Sequence, residues 1–275
     1  MFRTILVHAD SLAGTVARTR LAIALAHKFD STLIGFAAAL PRLPLELYDA
    51  ALGTVAIGPD YGDIDRTELE AEFAKNEAAF REATKAAGIE TDWRAVFAGP
   101  SIALAEAAIA ADLIVVGGTD DSLLGNLSAP SAGEVVLHIG RPILVVPAAY
   151  DRAAIDTIVV AWKNTPESQR AISDALPFMK GATHITILGI QEGDEVDPSL
   201  ADAEGFLVRH GIAARTETLP RSGAVEDQIL DYAKRQNADL IVAGAYGHTR
   251  LREWVFGGVT RGLLTRASIP CLFSH

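Results

Sequence analysis

Short apolar runs separated by amphipathic stretches set the rhythm of this chain. Residues 4–7 and 157–161 are uninterrupted and β-branched, the pattern of parallel strands covered on both faces. Helical periodicity follows each at residues 14–28 and 166–179, and further strands follow at 32–36 and 184–190. Later segments repeat almost letter for letter: Ala111-Asp112-Leu113-Ile114-Val115 returns as Ala238-Asp239-Leu240-Ile241-Val242. Arg141-Pro142-Ile143-Leu144-Val145 returns in outline as Ile269-Pro270-Cys271-Leu272-Phe273. Each half alternates strand and helix and ends on a strand. The fold class this predicts is α/β: two tandem doubly wound, Rossmann-like domains, each with a mostly parallel five-stranded sheet and right-handed crossovers. The domains are placed at residues 1–150 and 151–275, with the boundary near 147–155, where Pro, Ala and charged residues interrupt the strands. The halves differ after their second strand. Residues 41–63 are rich in Pro, Gly and Asp and precede a long helical stretch at 64–87, whereas the second half has a short polar loop and a helix near 198–210. Such a loop is either a surface excursion or a lid.

Composition narrows the function. At 275 residues and 49% hydrophobic, the chain can bury a substantial core. The net charge of −11 argues against general nucleic-acid binding. The first half carries 11 basic and 19 acidic side chains and the second 13 and 16, so the second half is the less repulsive host for an anion. No apolar run reaches the roughly 20 residues of a membrane span, and the start turns polar too soon for a signal peptide, so a cytoplasmic protein is expected. Cys271, the one cysteine, excludes an internal disulfide and reads as a buried structural thiol.

The densest chemical signal is Gly244-Ala245-Tyr246-Gly247, then nine residues, then Gly257-Gly258-Val259-Thr260. It begins where the strand at 240–243 ends and finishes at the start of a helix at 259–266. Ligands of doubly wound sheets bind beyond the carboxyl ends of strands, where helix N-termini present free N–H groups to anions. Glycine lets the backbone come close to phosphate oxygens, and Thr260 adds a hydroxyl. The plainer alternative is that these glycines only close tight turns. No Walker Gly-Lys-Ser/Thr is present, nor a GxGxxG after the first strand.

In this loop and its flanking ADLIV and IPCLF segments, the chain resembles the universal stress protein family in its tandem form, an adenine nucleotide alpha hydrolase-like fold. ATP-binding members carry G-x2-G-x9-G-Ser/Thr; here Gly244, Gly247 and Gly257 match, and Gly258 stands where Ser or Thr is usual. The resemblance implies an adenine nucleotide, ATP with or without Mg²⁺, lined by Ala243, Ala245, Tyr246 and Val259, with Ile190 touching the base. It also implies that the fifth strands of the two halves, at 143–146 and 271–274, meet in an intramolecular pseudo-dimer. A homodimer of the tandem chain is compatible with this but not required.

The two half-sites diverge. The family's nucleotide binders carry an Asp after the first strand, in V-D-G-S. The first half keeps it as Asp10, but Asp120 falls at the second loop glycine, and Ala129 and Pro130 replace the glycine pair. A carboxylate repels phosphate and proline offers no N–H, so nucleotide binding is expected to be lost there. The second half keeps the loop but has Trp162-Lys163-Asn164-Thr165 in place of V-D-G-S. Lys163 cannot accept a hydrogen bond but can pair with phosphate, leaving Asn164 or Thr165 for the ribose; its alternative is a solvated surface charge. Arg250 and Arg252 face either phosphate or solvent. His248 reads as a loop residue, His8 as a strand histidine at the crevice, and Trp254 and Phe256 as packing anchors. No catalytic or metal constellation stands out. The expectation is a stress-response protein binding an adenine nucleotide in its second half, with weak ATP hydrolysis left open. Two alternatives remain: a regulatory scaffold acting through protein contacts or a small apolar ligand held under residues 41–63, and an enzyme of the wider hydrolase-like class.

Overall fold

The computed structural model describes residues 1–11, 14–41, 48–49, 54–55, 59–118, 129–191, 193, 197–247 and 258–275. The first half runs β1 (Thr4–His8), α1 (Thr15–Phe29), β2 (Thr32–Ala38), a hairpin of β3 (Tyr48–Asp49) and β4 (Thr54–Val55), α2 (Pro59–Ala87), β5 (Thr91–Val96), α3 (Pro100–Ala107) with a 3₁₀ turn (Ala108–Ala110), β6 (Leu113–Gly117), α4 (Ala132–His138) and β7 (Ile143–Val146). The second runs β8 (Thr157–Trp162), α5 (Pro166–Asp174), α6 (Leu176–Met179), β9 (His184–Gln191), α7 (Ser199–Arg209), β10 (Arg215–Pro220), α8 (Val225–Arg235), β11 (Leu240–Gly244), α9 (Gly258–Arg266) and β12 (Cys271–Ser274).

Each half contributes five strands in the same spatial order, and the two sets join. The described residues form one ten-stranded sheet, β10-β9-β8-β11-β12-β7-β6-β1-β2-β5. Every neighbouring pair in it is parallel except β12 and β7, which run antiparallel with Leu272 opposite Leu144 and Phe273 opposite Ile143. The expected meeting of the fifth strands is therefore present, within one chain. This pairing also removes the edge that each half-sheet would otherwise expose.

The repeated Ala-Asp before β6 and β11 has a physical cause. Asp112 accepts from the backbone N–H groups of Arg3 (2.7 Å) and Thr4 (3.1 Å), clamping the start of β1. Asp239 accepts from those of Asp156 (3.0 Å) and Thr157 (2.9 Å) at the start of β8, and Arg152 adds an ion pair of 2.6 Å. A carboxylate accepting two amides fixes the register of the first and fourth strands of each half.

Two apolar layers, one on each face of the sheet, both draw side chains from both halves. In one, Phe2 and Phe29 of the first half close on Phe178 of the second, with ring centroids 5.4–5.5 Å apart. On the other face α4 meets α9. Ser274 donates to Asp174 at 2.8 Å, tying the last strand to α5. Cys271 is buried, and burial pushes its thiol up to about 12, which makes it inert at neutral pH.

Some boundaries depart from the pattern. The helix expected over 166–179 divides into α5 and α6, because Pro177 has no N–H and its ring opposes the preceding turn. The long helix starts at Pro59 rather than 64. The hairpin β3–β4, within the stretch expected as a loop or lid, carried no alternating pattern. The rest of that stretch up to residue 58 lies outside the described residues.

Because the two layers are shared, the halves are expected to unfold together. Urea titrations followed by tryptophan fluorescence and by far-ultraviolet circular dichroism should give one coincident transition. Leu272→Ala, removing a fully buried side chain at the β7–β12 seam, should lower stability by about 2–5 kcal/mol without splitting that transition.

Candidate functional site

Antiparallel joining of two parallel half-sheets points the carboxyl ends of their strands in opposite directions. Each half thus has its own crevice, on opposite edges of the sheet.

In the second half, the ends of β9, β8 and β11 lie side by side, bringing Ile190, Trp162 with Lys163, and Gly244 to one edge. Ala243 and Ala245 are buried in the core beneath it. Ala245 N–H donates to Ser274 O at 2.9 Å, after which Tyr246 turns into the left-handed region at φ 59°. The Tyr246 N–H points to the Thr260 hydroxyl, 3.4 Å away, which ties this turn to α9. Thr260 is buried, Val259 half-buried and Gly258, the first residue of α9, exposed. Gly257, His248, Arg250, Arg252, Trp254 and Phe256 lie outside the described residues.

The N-terminus of α5 stands directly against the glycine turn. A Cβ on Gly244 would lie 2.5 Å from the Ser168 backbone nitrogen, so glycine is required there by strand–helix packing alone. A Cβ on Gly247 would lie 2.7 Å from Glu167 Oε2 and 3.1 Å from Thr165 Oγ1. Thr165 caps α5, accepting from Ser168 N–H, and Glu167 sits in the helix's first turn. Glu167 Oε1 accepts from Arg170 at 3.3 Å, while Oε2 is buried and has no hydrogen-bond partner among the described residues. A carboxylate at a helix N-terminus is favoured by the dipole, so the chain itself supplies an anion beside Gly247. Glu167 was not singled out from the sequence, because a first-turn glutamate reads as ordinary helix capping.

Lys163 is exposed at the end of β8. The Trp162 ring packs into the core and its Nε1–H donates to Ser199 Oγ at 2.9 Å. Its side chain points into the sheet face covered by α7 because strand residues alternate, and Trp162 follows Ile158 and Val160 on that face.

The first half holds a different cluster in the corresponding crevice. Asp10 follows β1 and is buried. Its carboxylate accepts from Arg18 Nη2 at 2.7 Å and from the Thr15 hydroxyl, and lies 3.2 Å from His8 Nδ1. Arg18, 3% exposed, also donates from Nε to His8 O at 3.0 Å and from Nη2 to Thr15 Oγ1 at 2.8 Å. The guanidinium reaches across to the end of β6, where a Cβ on Gly117 would lie 2.4 Å from Arg18 Nη1. Gly117 is the counterpart of Gly244, and the first half uses its glycine to admit Arg18. Asp120, expected at the second loop glycine, lies outside the described residues. Ala129 and Pro130 immediately precede Ser131, the cap of α4.

Arg18 also escaped the sequence reading, yet it stands on the same helical stripe as Leu21, Ala22 and Leu25, all buried. A lone cation on an apolar stripe was the available signal. Burial lowers the affinity of Arg18 for its proton, opposed by Asp10. Burial also pushes His8 down to about 4, with Asp10 opposing and Arg18 adding to the shift. His8 is therefore a neutral ring at physiological pH.

The universal stress protein family matches residues 1–147 and again residues 154–275. The chain belongs to that family. Universal stress protein Slr1230 of Synechocystis sp. is 28% identical over 172 residues, a match spanning 58% of this chain and 57% of that protein. Among solved structures, a universal stress protein from Archaeoglobus fulgidus DSM 4304 superposes with a TM-score of 0.74 at 16% identity, covering 98% of this chain and 95% of its own. A protein of unknown function from Pseudomonas aeruginosa PAO1 gives 0.59 at 17% identity, covering 99% and 92%. These structures share the fold of this universal stress protein. No helix among the described residues is long and apolar enough to cross a membrane, and no three His, Cys, Asp or Glu side chains there are placed to hold a metal ion.

Two outcomes follow from the first-half cluster. Unfolded histidine binds its proton near 6.5 and native His8 near 4, so between those values the unfolded chain holds more protons. Stability should rise by on the order of 3 kcal/mol from pH 4 to 6.5 through this group and level off above. Urea midpoints across that range, compared with those of His8→Gln, measure the contribution. Arg18→Met, which strands Asp10, should cost about 3–5 kcal/mol, and adding Asp10→Asn should restore part of it in a double-mutant cycle.

Proposed function

We propose that this universal stress protein binds an adenine nucleotide in its second half alone. The observation that carries the reading is the juxtaposition at one sheet edge of the Gly244–Gly247 turn, the start of α9 at Gly258 and the exposed Lys163. A glycine turn beside a helix N-terminus, with an ammonium nearby, is a chemistry suited to phosphates. The Thr260 hydroxyl holds the turn in place from α9, and Val259 and Ile190 offer apolar contact for a base. In this reading Lys163, not an aspartate, follows the first strand because it faces phosphate.

Glu167 modifies the reading. Its buried Oε2 beside Gly247 disfavours a bare triphosphate, and Mg²⁺ carried with the nucleotide would offset that repulsion. We further propose that the first half holds no nucleotide, because the Arg18 guanidinium fills its crevice and pairs with Asp10. A second reading, a nucleotide-free regulatory scaffold, is favoured by one feature, the unpartnered Glu167 oxygen against the loop.

Freshly purified protein, denatured and chromatographed, should release one adenine nucleotide per chain or take up ATP–Mg when it is supplied. Gly247→Asp sets a second carboxylate beside Glu167 and should abolish both. Glu167→Gln should tighten ATP binding without Mg²⁺ by about tenfold, read by calorimetry, as removal of a charge a few ångströms from phosphate is worth roughly 1–4 kcal/mol. Failure of the wild-type protein to bind ATP–Mg at millimolar concentration would favour the scaffold.

A further inference from the structure

The first-half crevice contains a feature that the Arg18 cluster does not use. His8 is 1% exposed, and its Nε2 is buried without a hydrogen-bond partner among the described residues. The tautomer follows from its neighbours. Asp10 is an acceptor that already takes Arg18 and Thr15, so the His8 nitrogen facing it, Nδ1, carries the hydrogen. In a neutral ring Nε2 is then a bare acceptor, and a buried acceptor calls for a donor.

His8 lines a cavity of about 10 Å³ together with Glu72, Asn76, Phe73 and the alanines at 37–39. That is room for a single water-sized centre, too small for a nucleobase. The chemistry of the wall is one-sided. Arg18 already neutralises Asp10, whereas Glu72 lies next to the cavity and is engaged on Oε1 by the Ser11 hydroxyl. Asn76, buried on α2, brings an amide that can present its oxygen. The cavity therefore offers acceptors and one net negative charge, with room for a head group only. An anion is repelled, and no three metal-ligating side chains converge among the described residues. A compact positive donor is the chemistry that suits this wall.

We propose that the first half binds the ammonium head of a small primary amine between His8 Nε2, Glu72 and Asn76. The site lies on the opposite sheet edge from the glycine turn and does not rest on the nucleotide reading.

The test uses full-length ¹⁵N-labelled protein and methylammonium chloride as the probe. Long-range ¹H–¹⁵N spectra resolve imidazole nitrogens, and His8 is recognised as the ring that stays neutral as pH is lowered through the ordinary histidine range. Methylammonium should shift the His8 Nε2 resonance upfield and saturably. Sodium chloride and sodium phosphate at equal ionic strength should not. Glu72→Gln and Asn76→Ala, both at the cavity wall, should each weaken the response by about tenfold. A His8 shift that matches the sodium chloride control would overturn the proposal, showing a cavity filled by water only. A saturable His8 shift with ATP instead would overturn both it and the assignment of nucleotide to the second half. Absence of ATP binding anywhere, with the methylammonium response intact, would leave this site standing and remove only the nucleotide reading.

Discussion

The antiparallel pairing of β7 with β12 is the constraint on which the rest of this molecule depends. Each half taken alone is a five-stranded sheet with an exposed edge of hydrogen-bonding groups. Joining those edges makes one sheet of both halves and lets two apolar layers run across the seam, with Phe2 and Phe29 meeting Phe178 on one face and α4 meeting α9 on the other. It also reverses the second half relative to the first. The two crevices are thereby separated by the full width of the strands, and each has been free to change its chemistry without disturbing the other.

That freedom is visible in how the same architectural slot is filled. At the end of the fourth strand each half has a glycine whose missing side chain admits a neighbour. In the first half the neighbour is the Arg18 guanidinium beside Gly117, and in the second it is the backbone of α5 beside Gly244. Arg18 satisfies the carboxylate that follows β1 and closes the slot with a cation. Glu167 instead puts an anion next to Gly247 and leaves one oxygen without a partner. A buried ion pair adds little net stability but is costly to break, so the first arrangement is fixed.

The inner strands were legible because their runs are β-branched and covered on both faces, and the ADLIV repeat marked a feature common to both halves, whose cause is the clamp made by Asp112 and Asp239. The pairing of the last strands came from resemblance, not from periodicity, since nothing in four apolar residues states which edge they meet. Helix ends were less legible: Pro177 breaks a continuous amphipathic pattern, and α2 extends back through polar residues that read as loop. At the sites, Gly244 and Gly247 were found from spacing, but spacing cannot reveal that α5 packs against them. Arg18 and Glu167 were missed because both carry ordinary local explanations, a helix surface charge and a first-turn carboxylate. Trp162 ends β8, and the alternation of strand side chains turns it into the core. His8 was recognised at the crevice, but its complete burial depends on the packing of α1 and α2, which no local pattern contains.

The central claim is the asymmetry of the two crevices, and photolabelling with 8-azido-ATP followed by peptide mapping tests it most directly. The account predicts that the label falls on peptides from residues 151–275 and is displaced by ATP. Label recovered on peptides from residues 1–150, displaced equally by ATP, would contradict it.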